Sequence, residues 1–479
     1  MTQEAALQIM KTGTNVFLTG EPGSGKTHTV NRYVAYLRSH DIEPAITAST
    51  GIAATHLNGM TIHSWSGIGV KPVLTNYDLD QLAQNERVTR RVKRTKVLII
   101  DEISMLSAQT LGMVDQVCRE LRHSHEPFGG MQVVLVGDFF QLPPVFKQDQ
   151  NVKHQVFNSR LDFANNEDLR SQFAYCAPAW RALKPLVCYL SEQHRQEDRE
   201  FLATLSALRR GAIDDSHRAQ LNQRLIKENK IPRNITKLFP HNVNVDRIND
   251  AELETLSGTR QIFTMKSKGA PPLVEALKRN CLSPETLILK LGAKVMFTKN
   301  NPEGKFVNGT MGEVTSFRRT DNYPVIKTSG GYQIVAEPAE WLIEIDGKPK
   351  ATISQFPLRL AWAITVHKSQ GLSLDAAVID LSQAFEYGQG YVALSRVRTL
   401  AGLHLLGWNE RALQVHPDIR AQDKQFREQS IQTKTTFQTL DPTRLAMMHQ
   451  NFIRANAGVV FATTTPKSGR TRRRSRFIV

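Results

Sequence analysis

Cysteine is scarce in this 479-residue sequence, and no two cysteines have CxxC spacing. The four are Cys118, Cys176, Cys188 and Cys281. Zinc sites and disulfide frameworks both need clustered or regularly spaced cysteines, so this pattern argues against either kind of site. We therefore expect a reducing, cytoplasmic setting.

Long apolar runs are also missing. The longest runs, such as residues 97–100 and 133–136, have the length of strands, whereas roughly 20 apolar residues are needed to span a bilayer. The first residues, MTQEAALQIMKTG, lack the charged and apolar regions of a secretory signal. We expect no membrane partner.

Acidic residues are outnumbered: 45 Asp and Glu stand against 61 Lys and Arg, which gives a net charge of +16. Hydrophobic residues make up 41% and charged residues 22% of the chain, the composition of a globular protein rather than a disordered one. An excess of positive charge favours a polyanionic partner, so nucleic acid is the first partner to consider.

The first half of the chain alternates short apolar runs with longer mixed stretches, as a parallel sheet with crossover helices requires. Helical periodicity is found at residues 27–38 and 109–122. The predicted strands are residues 16–19, 45–48, 97–100 and 133–136. A second α/β stretch begins near residue 190 and resumes near 364, with a buried strand at 377–381. Residues 291–358 instead carry short strand-like pieces and frequent turn signals, which indicate an inserted small β-barrel.

Residues 20–27 read GEPGSGKT, which fits the phosphate-binding pattern GxxxxGK[ST] between a predicted strand and a predicted helix. Lys26 would reach the β and γ phosphates of a nucleotide, and the Thr27 hydroxyl would ligate Mg²⁺. Backbone N–H groups around the phosphates would come from Gly20, Gly23, Ser24 and Gly25. The alternative is an incidental glycine-rich turn, which the flanking pattern disfavours.

Two further clusters follow predicted strands. Asp101 and Glu102 come at the carboxyl end of the strand at 97–100, where Asp101 would hold Mg²⁺ and Glu102 would orient and deprotonate the attacking water. Alone, such an acidic pair is more often a helix cap. Gln141, within GDFFQLPP at 137–144, is placed to sense a γ-phosphate, although a proline-terminated strand with core phenylalanines would look similar.

With these motifs and five others, the chain resembles superfamily 1B DNA helicases of the petite-integration-frequency family, in the RecD-like branch. The others are TASTGIAA at 47–54, TIHS at 61–64, DEISML at 101–106, TVHKSQG at 365–371 and YVALSR at 391–396. The resemblance covers about residues 1–408. It implies an α/β fold with two RecA-like P-loop NTPase domains built on parallel sheets, a small wedge insertion in the first and an SH3-like β-barrel in the second.

The resemblance also implies the domain limits. The first RecA-like domain would span residues 1–189, with the wedge at about 67–85. The second would comprise residues 190–290 and 359–408, interrupted by the barrel at 291–358. Residues 409–479 would form a C-terminal extension whose last part, with six basic residues and no acid after residue 466, is predicted to be disordered.

Family roles carry over where the motifs match. Gln3 lies where the family has its adenine-reading glutamine, with Gln8 as a competitor. Arg195 and Arg396 match two arginines that reach the γ-phosphate from the second domain. An arginine supplied this way stabilises the charge of phosphoryl transfer only when the cleft closes, which links hydrolysis to domain motion. As isolated residues, both would more often be surface salt-bridge partners.

Candidates for DNA contact lie in three motifs, since strand tracking needs cationic, hydroxyl and aromatic groups. They are Thr50, Gly51, His63, Ser64, Trp65, His367 and Lys368. His63 and Trp65 could equally be core residues under a loop. The resemblance places His367 and Lys368 between the DNA and ATP sites. The basic run at 86–96 is either a DNA contact or a solvated helix face.

The sequence thus predicts a monomeric motor that uses ATP and Mg²⁺, moves on single-stranded DNA and unwinds tailed or forked duplex DNA. Its 5′-to-3′ polarity follows from the resemblance alone. One alternative is a motor that acts on RNA or on hybrids. Another is a nucleic-acid-stimulated ATPase that remodels protein–DNA complexes without unwinding.

Overall fold

The computed structural model describes residues 1–50, 53–54, 59–69, 71–144, 173–192, 198–227, 231, 235–299, 301, 303, 305–306, 308–328, 330–345 and 348–460. Two parallel sheets organise this part of the chain, and antiparallel sheets lie between the strands of the second. We refer to residues 1–192 as the first α/β unit and to the parallel sheet within 198–408, with its helices, as the second.

The first unit holds a six-stranded sheet in the order β3-β2-β4-β5-β1-β6, and every pair is parallel. Its strands are β1 Val16–Gly20, β2 Ala45–Ala48, β3 Met60–Thr61, β4 Val97–Asp101, β5 Gln132–Val136 and β6 Leu186–Leu190. Its helices are α1 Gln3–Lys11, α2 Lys26–Ser39, α3 Ile62–Ser66, α4 Asn76–Gln84, α5 Glu86–Arg94, α6 Ala108–Arg122 and α7 Pro178–Leu183. The four strands predicted in the first half are confirmed.

Burial explains why these strands appear as unbroken apolar runs. Every residue of β1 and of β5 is buried, because helices cover both faces of the sheet. Helices α1 and α2 cover one face, and their side chains share a core with Val16 and Val134. Helix α6 packs on the other face with Leu98 and Val133. The carboxyl ends of β1, β2, β4 and β5 therefore meet at one edge, where ligands of such sheets bind.

The remaining strands are β7 Thr236–Phe239, β8 Gln261–Thr264, β9 Lys266–Gly269, β10 Thr286–Leu289, β11 Lys294–Phe297, β12 Met311–Phe317, β13 Pro324–Thr328, β14 Gln333–Val335, β15 Ala339–Ile345, β16 Lys348–Gln355, β17 Leu358–Leu360, β18 Ala363–Thr365, β19 Ala377–Leu381 and β20 Leu403–Trp408. The helices of this part of the chain are α8 Arg199–Arg210 and α9 Asp215–Asn222, which precede β7, and α10 Asn242–Thr255, α11 Pro271–Asn280 and α12 Gln389–Leu394. The second unit has a parallel sheet in the order β18-β7-β19-β20. The predicted strand at 377–381 is β19.

Antiparallel sheets occupy the segment between β7 and β18. One has the order β14-β13-β12-β11-β17, another β15-β16-β9, and β10 pairs with β8. Strand β9 precedes residue 291 in the chain, yet it pairs with β16 within the predicted insertion. The domain limits inferred from the resemblance remain predictions.

After β20 the chain returns to the first unit through helices α13 Pro417–Gln438 and α14 Pro442–Ala455. The Tyr189 backbone N–H on β6 donates to Ser430 Oγ on α13 at 2.9 Å. Ile453 of α14 is buried in the core formed with α1 and α2. The weak sequence pattern after Trp408 did not indicate this packing. None of the helices in the described ranges combines the length and the apolar character that a membrane span requires.

Candidate active site and nucleic-acid interface

The loop between β1 and α2 carries the GEPGSGKT pattern. Gly23 and Gly25 have φ angles of +87° and +86°, which residues with a Cβ atom rarely adopt. A Cβ atom on Gly25 would also lie 2.1 Å from Gln3 Nε2. Helix α2 begins at Lys26, so the loop ends at a helix N terminus, whose backbone N–H groups and positive potential attract anions.

Lys26 and Gln3 are both held against this loop. The Lys26 ammonium donates to the carbonyl oxygens of Gly20 and Glu21, at 2.8 and 3.1 Å. Gln3 Nε2 donates to the carbonyl oxygen of Ser24 at 3.2 Å. The amide of its competitor Gln8 instead donates to Glu4 at 2.5 Å. Of the two glutamines, Gln3 is thus the one whose amide contacts the phosphate loop.

Asp101 ends β4, and Glu102 follows it in the left-handed region with φ +51°. The Glu102 backbone N–H donates to Asp101 Oδ1 at 2.9 Å, and Ser49 Oγ donates to the Glu102 carbonyl oxygen at 2.8 Å. Burial and the adjacent carboxylate of Glu102 raise the pKa of Asp101 to about 7. A bound cation would favour the ionised form of this carboxyl.

Gln141 is buried in a turn after β5, with 7% of its surface exposed. Its backbone N–H donates to the Asp138 carbonyl oxygen at 3.0 Å. The Phe140 backbone N–H donates to Asp138 Oδ1 at 3.2 Å. The phenylalanines of this motif are core residues, as the alternative interpretation held, but Gln141 faces a cleft.

Arg396 follows helix α12 in the second unit and is only 2% exposed. Its guanidinium donates to the Val392 carbonyl oxygen and to Ser395 Oγ, both at 2.9 Å. Because Arg396 is buried, the alternative that it is a surface salt-bridge partner does not hold. Arg195 lies outside the described residues.

A cleft of about 860 Å³ brings these groups together. The first unit lines it with Gly23, Gly25, Lys26, Thr27, Thr50, Asp101, Glu102 and Gln141. The second unit lines it with His367, Lys368 and Arg396. Gly20 and Ser24 lie behind this lining, where their carbonyl oxygens accept from Lys26 and Gln3.

The DNA candidates separate into two locations. Thr50, His367 and Lys368 lie at the cleft itself. Burial, followed by the charge of His241, lowers the pKa of His367, and burial followed by the charge of Arg359 lowers the pKa of Lys368. His63, Ser64 and Trp65 lie on α3 instead. Gly51 is outside the described residues.

Trp65 requires a correction. Its side chain is 1% exposed and belongs to the core of the first unit, so it cannot stack on a base. The neighbouring Ser64 is exposed, and His63 is half-buried. Burial lowers the pKa of His63, which disfavours the charged form of the ring.

Family models and curated relatives both relate this chain to Pif1 helicases. The family model described as PIF1-like helicase matches residues 2–219, and the model of the DNA helicase Pif1 2B domain matches residues 272–317. The chain is 42% identical to the ATP-dependent DNA helicase Pif1 of Psychrobacter sp. (strain PRwf-1), over 96% of this chain and 76% of that protein. The chain belongs to the PIF1-like helicase family.

Solved structures agree with this membership. Pif1 helicase from Candida albicans matches with a TM-score of 0.75 and 32% identity, over 88% of this chain and 98% of that one. A Bacteroides Pif1 helicase in complex with ADP-AlF3 and ssDNA matches with a TM-score of 0.65 and 30% identity, over 89% and 96% of the two chains. The predicted fold class, α/β with two RecA-like domains, is confirmed.

The donor set of this PIF1-like helicase fits Mg²⁺. The Thr27 hydroxyl and the Asp101 carboxylate line the same cleft, and both are the hard oxygen ligands that Mg²⁺ prefers. Within the described ranges no group of three or more His, Cys, Asp or Glu side chains is placed to hold a metal. Mg²⁺ bound together with a nucleotide commonly takes only one or two carboxylates from the protein, and its other ligands are phosphate oxygens and water.

The cleft also contains residues that the sequence analysis missed, namely His28, Met105, Ser373, Arg398 and Thr399. Arg398 is exposed and forms an ion pair with Asp375 at 2.8 Å. It lies two residues after Arg396, so proximity to the YVALSR motif was a usable signal. His28 likewise follows directly after the GKT of the phosphate loop.

Proposed function

We propose that this PIF1-like helicase is an ATP-dependent DNA helicase that moves 5′-to-3′ on single-stranded DNA and unwinds duplex DNA. One observation carries the proposal: the phosphate loop, the acidic pair and Gln141 of the first unit line the same cleft as Arg396 of the second. A nucleotide in this cleft would touch both units. Hydrolysis would then change how the two units hold each other.

The residues of the cleft suit phosphoryl transfer, which needs positioning and charge stabilisation more than covalent chemistry. Lys26 and the N terminus of α2 would bind the β and γ phosphates, while Gln3 would contact the adenine. Thr27 and Asp101 would hold Mg²⁺, which supplies positive charge to the phosphate oxygens when bound. Glu102 would orient the attacking water and accept its proton, and Gln141 would contact the γ-phosphate.

Arg396 would link this chemistry to motion. Its positive charge stabilises the transferring phosphoryl group only while the two units are closed on ATP. Release of phosphate would remove that attraction and let the cleft open. His367 and Lys368 lie in the same cleft as Arg396. If their motif alternately binds and releases the DNA strand as the cleft closes and opens, each cycle of ATP hydrolysis would move the protein by one step. By resemblance, Arg195 is the second arginine of this mechanism.

Single-stranded DNA and tailed or forked duplexes are the proposed partners. Support comes from relatives: Bacteroides Pif1 has been solved bound to ssDNA, and another structure concerns forked dsDNA unwound by two coordinating Pif1 helicases. The proposed contact residues here are the sequence candidates other than Trp65, namely Thr50, Gly51, His63, Ser64, His367 and Lys368. The limits of the two RecA-like domains, the wedge and barrel insertions, and action as a monomer are part of the same proposal.

The test is ATP-dependent displacement of a duplex that carries either a 5′ or a 3′ single-stranded tail. Wild-type protein should unwind the 5′-tailed substrate, and Lys26→Ala should reduce ATP turnover by a factor on the order of 100 because a main charge contact to the phosphates is removed. Lys424→Ala, an exposed lysine on α13, is the matched control. ATP turnover without displacement of either duplex would contradict the proposal, and selective unwinding from a 3′ tail would contradict its polarity.

A further inference from the structure

Arg209, at the end of α8, is a buried charge outside the cleft motifs. Only 1% of its side chain is exposed. Its Nη1 atom donates to both carboxylate oxygens of Asp138, at 2.8 Å each, and to Tyr391 Oη at 3.0 Å. Its Nη2 atom donates to Tyr189 Oη at 2.8 Å. One side chain thus joins three residues that are far apart in the sequence.

The first of these contacts reaches the turn that carries Gln141. Asp138 accepts hydrogen bonds from the backbone of this turn, and its own carbonyl oxygen accepts from the Gln141 N–H. The Arg209 guanidinium also lies 4.0 Å from the centre of the Phe140 ring, a cation–π contact. Arg209 therefore holds both the carboxylate and the aromatic ring of the turn from which Gln141 enters the cleft.

The second contact reaches the helix that precedes Arg396. Tyr391 lies on α12, and Arg396 donates to the carbonyl oxygen of Val392, the next residue. Gly388, just before α12, packs so closely on the Gln141 turn that a Cβ atom there would lie 2.6 Å from the Phe140 carbonyl oxygen and 2.9 Å from that of Gln141. The Gln141 turn and the Arg396 helix thus touch directly, and Arg209 bonds to both.

The third contact, to Tyr189 on β6, links Arg209 to helix α13. Tyr189 Oη also accepts from Arg427 Nη2 of α13 at 2.6 Å, and Asp423 of α13 lies 3.6 Å from Arg209 Nη2. Burial opposes the charge on Arg209, but Asp138 and the other facing groups outweigh it and raise the pKa of Arg209 well above its usual value. The charge is therefore retained at all physiological pH values.

A buried ion pair of this kind adds little net stability, because desolvation of both charges offsets their attraction. Its effect is instead geometric, since an unpaired buried charge is costly and both terminal nitrogens of the guanidinium obtain their hydrogen bonds from this arrangement of partners. In the arrangement of the two units described here, these contacts set how the Gln141 turn lies against the Arg396 helix.

We propose that Arg209 is a positioning residue for ATP hydrolysis, which acts through Asp138 and Tyr391 to set Gln141 and Arg396 on either side of the γ-phosphate. This inference rests on the proposed function. Arg209 does not touch the nucleotide in this mechanism. Its removal should therefore slow turnover and leave nucleotide binding, which depends on the phosphate loop and Gln3, largely unchanged.

The first test is Tyr391→Phe, which deletes the hydroxyl that joins Arg209 to α12 and keeps the ring. We expect kcat for DNA-stimulated ATP hydrolysis to fall by about 3- to 10-fold, the size of one buried hydrogen bond, with KM for ATP within about twofold. Tyr33→Phe is the matched control, because Tyr33 is also fully buried and its hydroxyl makes a hydrogen bond, to Gln132 at 2.6 Å. This control should keep the wild-type kcat.

A second variant, Arg209→Lys, retains the charge beside Asp138, but one ammonium cannot serve Asp138, Tyr391 and Tyr189 together. We expect kcat to fall by at least about 10-fold at unchanged KM, whereas Arg210→Lys at the exposed neighbour should have no effect. Thermal unfolding of each variant, monitored by circular dichroism, identifies a temperature at which all of the variants are folded.

Wild-type kcat in folded Tyr391→Phe, a rise in KM alone, or an equal fall of kcat in Tyr33→Phe would each overturn the inference. The last result would show that any buried hydroxyl deletion has the same effect. These outcomes leave the proposed function intact as long as the wild-type protein hydrolyses ATP and Lys26→Ala does not. A wild-type protein without turnover would contradict the proposed function and this inference together.

Discussion

Gln3 and Gln8 lie on the same helix, yet their amides have different partners. Gln3 donates to Ser24 in the phosphate loop, and Gln8 donates to Glu4 on the solvent side of α1. An amide that reads adenine must lie beside the loop, because the base and the phosphates belong to one ligand. The contact with Ser24 therefore supports the prediction of Gln3, rather than Gln8, as the adenine-reading residue.

Gln3→Ala should raise KM for ATP by about 3- to 10-fold, the range expected when one or two hydrogen bonds are removed. It should also reduce the preference for ATP over GTP, because an amide can pair with the adenine edge as both donor and acceptor. Steady-state ATP and GTP hydrolysis in the presence of single-stranded DNA measures both effects. Gln8→Ala is the control and should behave as wild type; an effect in Gln8→Ala and none in Gln3→Ala would reverse the assignment.

At the scale of elements, helix α3 shows how neighbouring residues can have separate roles. Trp65 faces the core, while Ser64 is exposed and its hydroxyl accepts from Thr61 Oγ1 at 3.0 Å. Arg91 of α5 donates to the carbonyl oxygens of Ser64 and Trp65, at 2.8 and 2.5 Å. Helix α3 is therefore held by the packing of Trp65 in the core and by the hydrogen bonds from Arg91 of α5. Ser64 is left exposed to solvent.

Trp65→Phe should lower the free energy of unfolding by about 1–2 kcal/mol, because it leaves a cavity in a packed core. It should leave the Kd for single-stranded DNA within about twofold. Ser64→Ala should do the opposite, with unchanged stability and a Kd about 2- to 5-fold weaker. Urea denaturation and fluorescence anisotropy with a labelled oligonucleotide measure the two quantities. Weaker DNA binding by folded Trp65→Phe would argue that the side chain leaves the core to meet DNA.

The elements that could be predicted are strands that are buried on both faces, because their consecutive residues are mostly apolar. Strands β1, β4 and β5 are covered on both faces, so each is an apolar run, and the predicted bounds differ from the observed ones by at most one residue at each end. The phosphate loop and the acidic pair could be predicted for a similar reason, since each is a continuous motif that directly follows such a strand.

Helix α13 could not be predicted in this way. It has 22 residues, and its buried side chains are Ile419, Phe426, Ser430 and Thr433. Two of these are polar, so no regular apolar repeat marks the helix. Contacts between distant residues were equally hidden: Arg209 and Asp138 are 71 positions apart and belong to common residue types. The shared cleft was expected from the family resemblance alone, because no pattern in the sequence links residues of the first unit to those of the second.

At the scale of the whole molecule, positive charge is unevenly distributed along the chain. The net charge is +16, and residues 467–479 contribute six basic residues and no acid. These are Lys467, Arg470, Arg472, Arg473, Arg474 and Arg476. The segment lies outside the described residues, and its composition is suited to non-specific contact with phosphates. Such contact releases counterions from DNA, so its contribution to affinity decreases as salt increases.

Deletion of residues 467–479 should therefore weaken binding to single-stranded DNA mainly at low salt, with a smaller difference at high salt. The plot of log K against log salt should become shallower by about 0.7 for each phosphate that the tail no longer neutralises. The maximal ATPase rate at saturating DNA should stay at the wild-type value, because every cleft residue is retained. A chain of full length with serine at the six basic positions is the control for length and should match the deletion. Unchanged affinity of the deletion variant at low salt would show that the tail does not contact DNA.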